Sequence, residues 1–111
     1  MINKAKYNCL EELKKPGPPI VIVAVTQEIE AIINACAENG IKVSGLCDNE
    51  TRKVNKEIKG MNVIHTVNLI KKFPKARLLV AYHNIQECVD QLTSMGYEEF
   101  YSPLEILKDY D

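Results

Sequence analysis

Residues 20–25 read IVIVAV, a continuous apolar run rich in β-branched side chains, with no glycine or proline inside it. That is the pattern of a strand buried on both faces rather than on one. Reading outward, QEIEAIINACAENG (27–40) carries Ile29, Ile32, Ile33 and Cys36 at helical spacing. Thr26 is placed to cap that helix and Asn39-Gly40 to stop it. A second strand, IKVSGLC (41–47), follows and runs into the turn pair Asp48-Asn49. Strand, helix and strand in this order are the opening unit of a parallel α/β sheet.

The same alternation continues. ETRKVNKEIKG (50–60) is polar and reads as loop or a poor helix. MNVIH (61–65) is a short third strand, TVNLIKKF (66–73) a short helix ended by Pro74, and ARLLVAY (76–82) a fourth strand. NIQECVDQLTSMG (84–96) places Ile85, Cys88, Val89 and Leu92 on one helical stripe, and EEFYS (98–102) is a fifth strand. Ser102, Pro103 and Glu105 have the spacing of a capping box opening a last helix over ILKDYD (106–111). Upstream, KAKYNCLEELKK (4–15) reads as a short amphipathic helix with Asn8 at its cap, and PGPP (16–19) as a stiff connector.

These elements predict one α/β domain over 1–111, with an N-terminal helix and proline-rich connector over 1–19 and the α/β core over 20–111. The expected fold is a Rossmann-like, doubly wound, five-stranded parallel sheet of order 3-2-1-4-5. Ligands of such sheets bind at the carboxyl ends of the strands beside the switch point. Those ends carry Thr26 and Gln27, Asp48 and Asn49, and His83 and Asn84, the candidate ligand-binding residues. All but Gln27 have a second reading: Asp48 and Asn49 as a turn, Thr26 and Asn84 as helix caps, and His83 as a half-exposed residue before a helix.

Composition bounds the function. The chain has 111 residues, is 46% apolar and 26% charged, and carries a formal net charge of -1. That is one domain's worth of chain, able to build one core but short for a catalytic domain plus a substrate domain. The balanced charge lacks the basic footprint of a nucleic-acid binder. The run at 20–25 is far shorter than the ~20 residues of a membrane span. The segment at 1–15 has no apolar secretory core, so a cytoplasmic location is expected. Cys9, Cys36, Cys47 and Cys88 form no CxxC pair and read as buried apolar residues in a reducing compartment. Lys71, Lys72, Lys75 and Arg77 read as a solvated charged face, His65 as a strand-end residue, and Tyr97, Phe100 and Tyr101 as core or interface aromatics. There is no GxSxG, P-loop or HExxH, so no catalytic residues and no metal ligands are assigned.

In order and spacing, GLCDN (45–49), GMNV (60–63), and GY (96–97) followed by YSPLE (101–105) resemble a known family. The chain is similar to the small Rossmann-like domains of surface-polysaccharide biosynthesis. One group is the N-terminal domain of bacterial sugar-nucleotide N-acetyltransferases; another accompanies FkbM-type methyltransferases. The resemblance covers residues 18–107. It implies a nucleotide, nucleotide-sugar or dinucleotide ligand, with Asp48 and Asn49 near the nucleotide, and a catalytic transferase domain or a second copy as partner. It also implies an accessory role in glycan assembly without catalysis by this chain. One departure stands out. The first strand is followed by VTQEIE (25–30), and no glycine occurs between Gly17 and Gly40. A diphosphate normally sits on a glycine-rich turn there. The alternative reading is therefore a structural or protein-interaction domain that lacks the phosphate loop.

Overall fold

The run at 20–25 forms the central strand. The computed structural model describes residues 4–108. In it β1 (Ile20–Val23) is buried along its whole length, between two parallel neighbours, β2 (Val43–Asp48) and β5 (Arg77–Val80). Successive side chains of a strand point to opposite faces. Ile20 and Ile22 accordingly enter one apolar cluster and Val21 and Val23 the other.

The first cluster packs Cys9 and Leu13 of the N-terminal segment, Ile29, Ile32, Ala35 and Cys36 of α2 (Ile29–Glu38), and Ile106 of α5 (Leu104–Leu107). The second packs Leu69 of α3 (Leu69–Lys72) and Cys88, Val89 and Leu92 of α4 (Ile85–Ser94). Helices thus cover both faces, which explains why β1 carries no polar alternation. Of the aromatic group, Tyr97, Phe100 and Tyr101 are all buried; the Tyr97 hydroxyl donates to the Phe73 carbonyl at 2.6 Å.

With β3 (Glu57–Ile58), β4 (Met61–His65) and β6 (Phe100–Tyr101), the sheet has six strands in the order β3-β4-β2-β1-β5-β6. This corrects the five-stranded parallel sheet expected in the order 3-2-1-4-5. The added strand, β3 (Glu57–Ile58), pairs antiparallel with β4 (Met61–His65). Lys59 and Gly60 join them with φ of 52° and 81°. Two successive left-handed residues make a tight two-residue hairpin, usually announced by Asn-Gly. Lys-Gly hid it within 50–60, where there is also a 3-10 turn at Thr51–Lys53. β6 (Phe100–Tyr101) lies parallel to β5 at the other edge.

The N-terminal segment differs from the expected helix over 4–15. Lys6 bridges Tyr101, with its amide on the Phe100 carbonyl at 2.9 Å, and only α1 (Leu10–Lys14) is helical. Asn8 does not cap it. Glu105 does so from the far end of the chain: its Oε1 accepts from the amides of Cys9 and Leu10, both at 2.8 Å. The capping box is corrected with it. Pro103 occupies the N-cap position of α5, Ser102 Oγ accepts from the Leu104 amide at 3.3 Å, and Glu105 serves another helix. Of the last expected helix, residues 109–111 lie outside the described residues.

Arg77 is not part of a solvated face. It is 7% exposed and ties the connector to the sheet. Its Nε donates to the Pro18 carbonyl at 2.8 Å and its Nη1 to the Lys15 carbonyl at 2.9 Å. Gly17 permits this approach, since a Cβ there would lie 3.1 Å from the Arg77 Cζ. Among the described residues no helix is long and apolar enough to cross a membrane.

Candidate functional site

β1 stops at Val23 because Ala24 turns the chain with φ of 81°. A left-handed conformation at a residue with a Cβ costs roughly 1–2 kcal/mol. It is held by the Ala24 amide donating to the Cys47 carbonyl at 2.8 Å. The chain therefore makes a sharp turn at the carboxyl end of β1 without a glycine. Thr26 then forms a small side-chain turn, its Oγ1 accepting from the Glu28 amide at 3.3 Å. The N-cap of α2 is Glu28, not Thr26.

A cleft of about 870 Å³ opens at this end of the sheet, within the usual ~300–1,000 Å³ of small-molecule sites. It brings together Thr26, Gln27, Asp48, Asn49 and His83. Asn84 does not line it. Asn84 sits at the N-cap of α4, but its side chain makes no capping bond; its Nδ2 donates to Glu87 Oε2 at 2.7 Å.

Asp48 is 6% exposed and its carboxylate is committed to the backbone. Oδ2 accepts from the Val25 amide at 2.7 Å and Oδ1 from the Glu50 amide at 2.8 Å. It thus clamps the loop after β1 to the loop after β2. Asn49 exchanges two bonds with Gln91 of α4, at 3.0 and 3.3 Å. His83 is exposed and its ring leans on Tyr82, with centroids 4.5 Å apart. Among the described residues His83 makes no hydrogen bond to Asp48, whose two oxygens face backbone amides.

Residues not singled out from the sequence complete the site. Lys53 reaches in from the 3-10 turn, its Nζ 2.8 Å from the Val25 carbonyl, 3.5 Å from Glu50 and 3.7 Å from Asp48. It lies in the polar stretch 50–60, read as loop or a poor helix, where no periodicity aims a lysine inward. Glu28, Glu50 and Glu87 line the cleft with Asp48, leaving Lys53 as the lysine among four carboxylates. Pro103, Leu104 and Leu107 supply an apolar side, and Leu104 is 58% exposed. Thr66 lies in the lining with its Oγ1 buried and without a hydrogen-bond partner. The Cys47 thiol is the neighbour of that hydroxyl.

The thiols are chemically quiet. Burial pushes Cys47 and Cys36 up to about 12, and Cys9 and Cys88 up to about 11. Among the described residues all four are unpaired and buried, and no group of three or more His, Cys, Asp or Glu is placed to hold a metal ion. Elsewhere His65 closes β4, its Nδ1 accepting from the Val67 amide at 3.2 Å.

The site therefore offers exposed carboxamide and imidazole edges, a clamped acidic floor and an apolar wall. Carboxamides and imidazole recognise hydroxyl and base edges. Comparison of the sequence with models of protein families gives no match, and comparison with curated proteins gives none.

Proposed function

We propose that this chain is a non-catalytic, Rossmann-like accessory domain that binds a nucleotide or nucleotide-sugar in the carboxyl-end cleft, in the service of glycan assembly. The observation that carries the reading is the convergence of Thr26, Gln27, Asn49 and His83 on one cleft beside the point where the sheet reverses its strand order. The clamped Asp48 gives the ligand a rigid floor. Base and sugar edges meet the carboxamides and His83, and the apolar side of the ligand lies toward Leu104. The phosphates lie away from the turn after β1, where Glu28 would repel them. Four unpaired, buried thiols fit a reducing, cytoplasmic setting.

A second reading, a structural or interaction domain, is favoured by one specific feature. Both Asp48 oxygens are occupied by backbone amides and Lys53 is occupied by Val25, Asp48 and Glu50. The groups best suited to hold ribose and phosphate are thus already used. Calorimetry with UDP-sugars, NAD and CoA separates the two. Saturable binding that falls in a Gln27→Ala, Asn49→Ala variant supports the ligand reading. No heat at millimolar ligand, with the fold intact, leaves the structural reading.

A further inference from the structure

At the opposite, amino end of the sheet a pocket of about 260 Å³ lies between the end of α1, the proline connector and the starts of β1 and β2. Its charged lining is Lys14, Lys15, Lys42 and Arg77, with no carboxylate. Arg77 is the unusual member. A guanidinium has five N–H donors. Here Nε is used by the Pro18 carbonyl, and Nη1 by the carbonyls of Lys15 and, at 3.3 Å, Glu12. The Nη2 amino group has no partner among the described residues.

Arg77 also forms no salt bridge among the described residues, although it is 7% exposed. Neutral carbonyls engage its Nε and Nη1 but do not balance its charge, and an uncompensated buried cation is costly. The nearby carboxylates are engaged elsewhere. Glu11 pairs with Lys14 at 3.5 Å, and Glu12 pairs with Lys6 at 3.2 Å and accepts from Tyr101. The pocket is smaller than the usual ~300 Å³ lower bound for drug-sized ligands, which suits a compact anion.

We propose that this pocket is an oxyanion site that takes a phosphoryl group, either inorganic phosphate or the terminal phosphate of a small monoester. The Nη2 edge of Arg77 supplies the planar donor and Lys15 and Lys42 supply mobile positive charge. The site is separate from the cleft and does not depend on what the cleft binds.

The test is amide and arginine-side-chain NMR of the full chain during titration with inorganic phosphate at constant ionic strength, chloride being replaced. A sugar monophosphate forms the second arm. The expected result is saturable shifts at Lys15, Gly17, Lys42, Ser44 and the Arg77 Nε–H. Lys15→Ala and Lys42→Ala each weaken binding about fivefold, as loss of one exposed charge contact of ~1 kcal/mol implies. Tighter binding of the sugar phosphate identifies a monoester as the source; equal binding identifies free phosphate. Non-saturable shifts, or saturable shifts that the two lysine variants leave unchanged, overturn the proposal. Both variants keep the backbone carbonyls that hold Arg77, the Lys15 carbonyl included, and folding is a separate readout by circular dichroism.

Discussion

Asp48 stands at a position where an acidic residue is expected to meet a ribose, yet its carboxylate is bonded to the chain itself. Replacing it with alanine removes the acceptor for the buried Val25 amide at 2.7 Å and for the partly buried Glu50 amide at 2.8 Å. A hydrogen bond to a charged group contributes roughly 1.5–3 kcal/mol, and orphaning a buried amide costs about 1–3 kcal/mol. Taking about 2 kcal/mol for the Val25 bond and about 1 kcal/mol for the wetter Glu50 bond gives a loss of about 3 kcal/mol. The Lys53 contact at 3.7 Å is partly solvated and adds little. At about 4 °C per kcal/mol for a chain of this size, Tm falls by roughly 12 °C. Asp48→Asn keeps one acceptor oxygen and should lose about half as much. The assay is urea unfolding followed by circular dichroism, with Asn49→Ala as a control whose exposed pair with Gln91 contributes less than about 1 kcal/mol. If Asp48→Ala unfolds with the stability of the parent chain while losing ligand affinity, Asp48 is a ligand contact and the clamp is wrong.

Gly45→Ala places a Cβ 2.8 Å from the Phe73 ring, so overpacking should destabilise by about 1–3 kcal/mol, read from denaturant midpoints. Glu105→Ala frees the Cys9 and Leu10 amides at the start of α1; a loss of about 1–2 kcal/mol is expected, with amide exchange accelerated at Cys9 and Leu10 above all. The raised thiols predict that a disulfide reagent at pH 8 leaves the native chain unreacted and modifies all four cysteines in denaturant. Burial would raise Glu12, but hydrogen bonds from Lys6 and Tyr101 outweigh it and hold its carboxyl below 4.5. Its contribution is thus present above pH 4.5 and lost as pH falls through the lower folded value, so Glu12→Gln should flatten the acid limb of a stability–pH curve.

The alternation of apolar runs and helical stripes was readable because burial on both faces of β1 leaves an unbroken β-branched sequence. β3 was not, because its hairpin uses Lys59-Gly60 and its strand is two residues long. The early end of β1 was hidden for a related reason: Ala24 takes a left-handed φ that only neighbouring hydrogen bonds enforce. Long-range pairings were beyond local spacing. Glu105 has the spacing of a local cap, yet it crosses 96 residues to Cys9. Arg77 has the composition of a charged face, yet it closes the connector. At the site, the strand ends located Thr26, Gln27, Asp48, Asn49 and His83 correctly as neighbours, since a parallel sheet aligns its carboxyl ends. Lys53 escaped because its approach depends on a 3-10 turn within a polar stretch.

The most direct test of the ligand reading is an amide NMR titration of the full chain with a UDP-sugar at millimolar concentration, with uridine alone in parallel. The account predicts saturable shifts at Thr26, Gln27, Asn49 and His83, with uridine reproducing most of them because the base and sugar edges carry the contact. An unchanged spectrum with both compounds would contradict it.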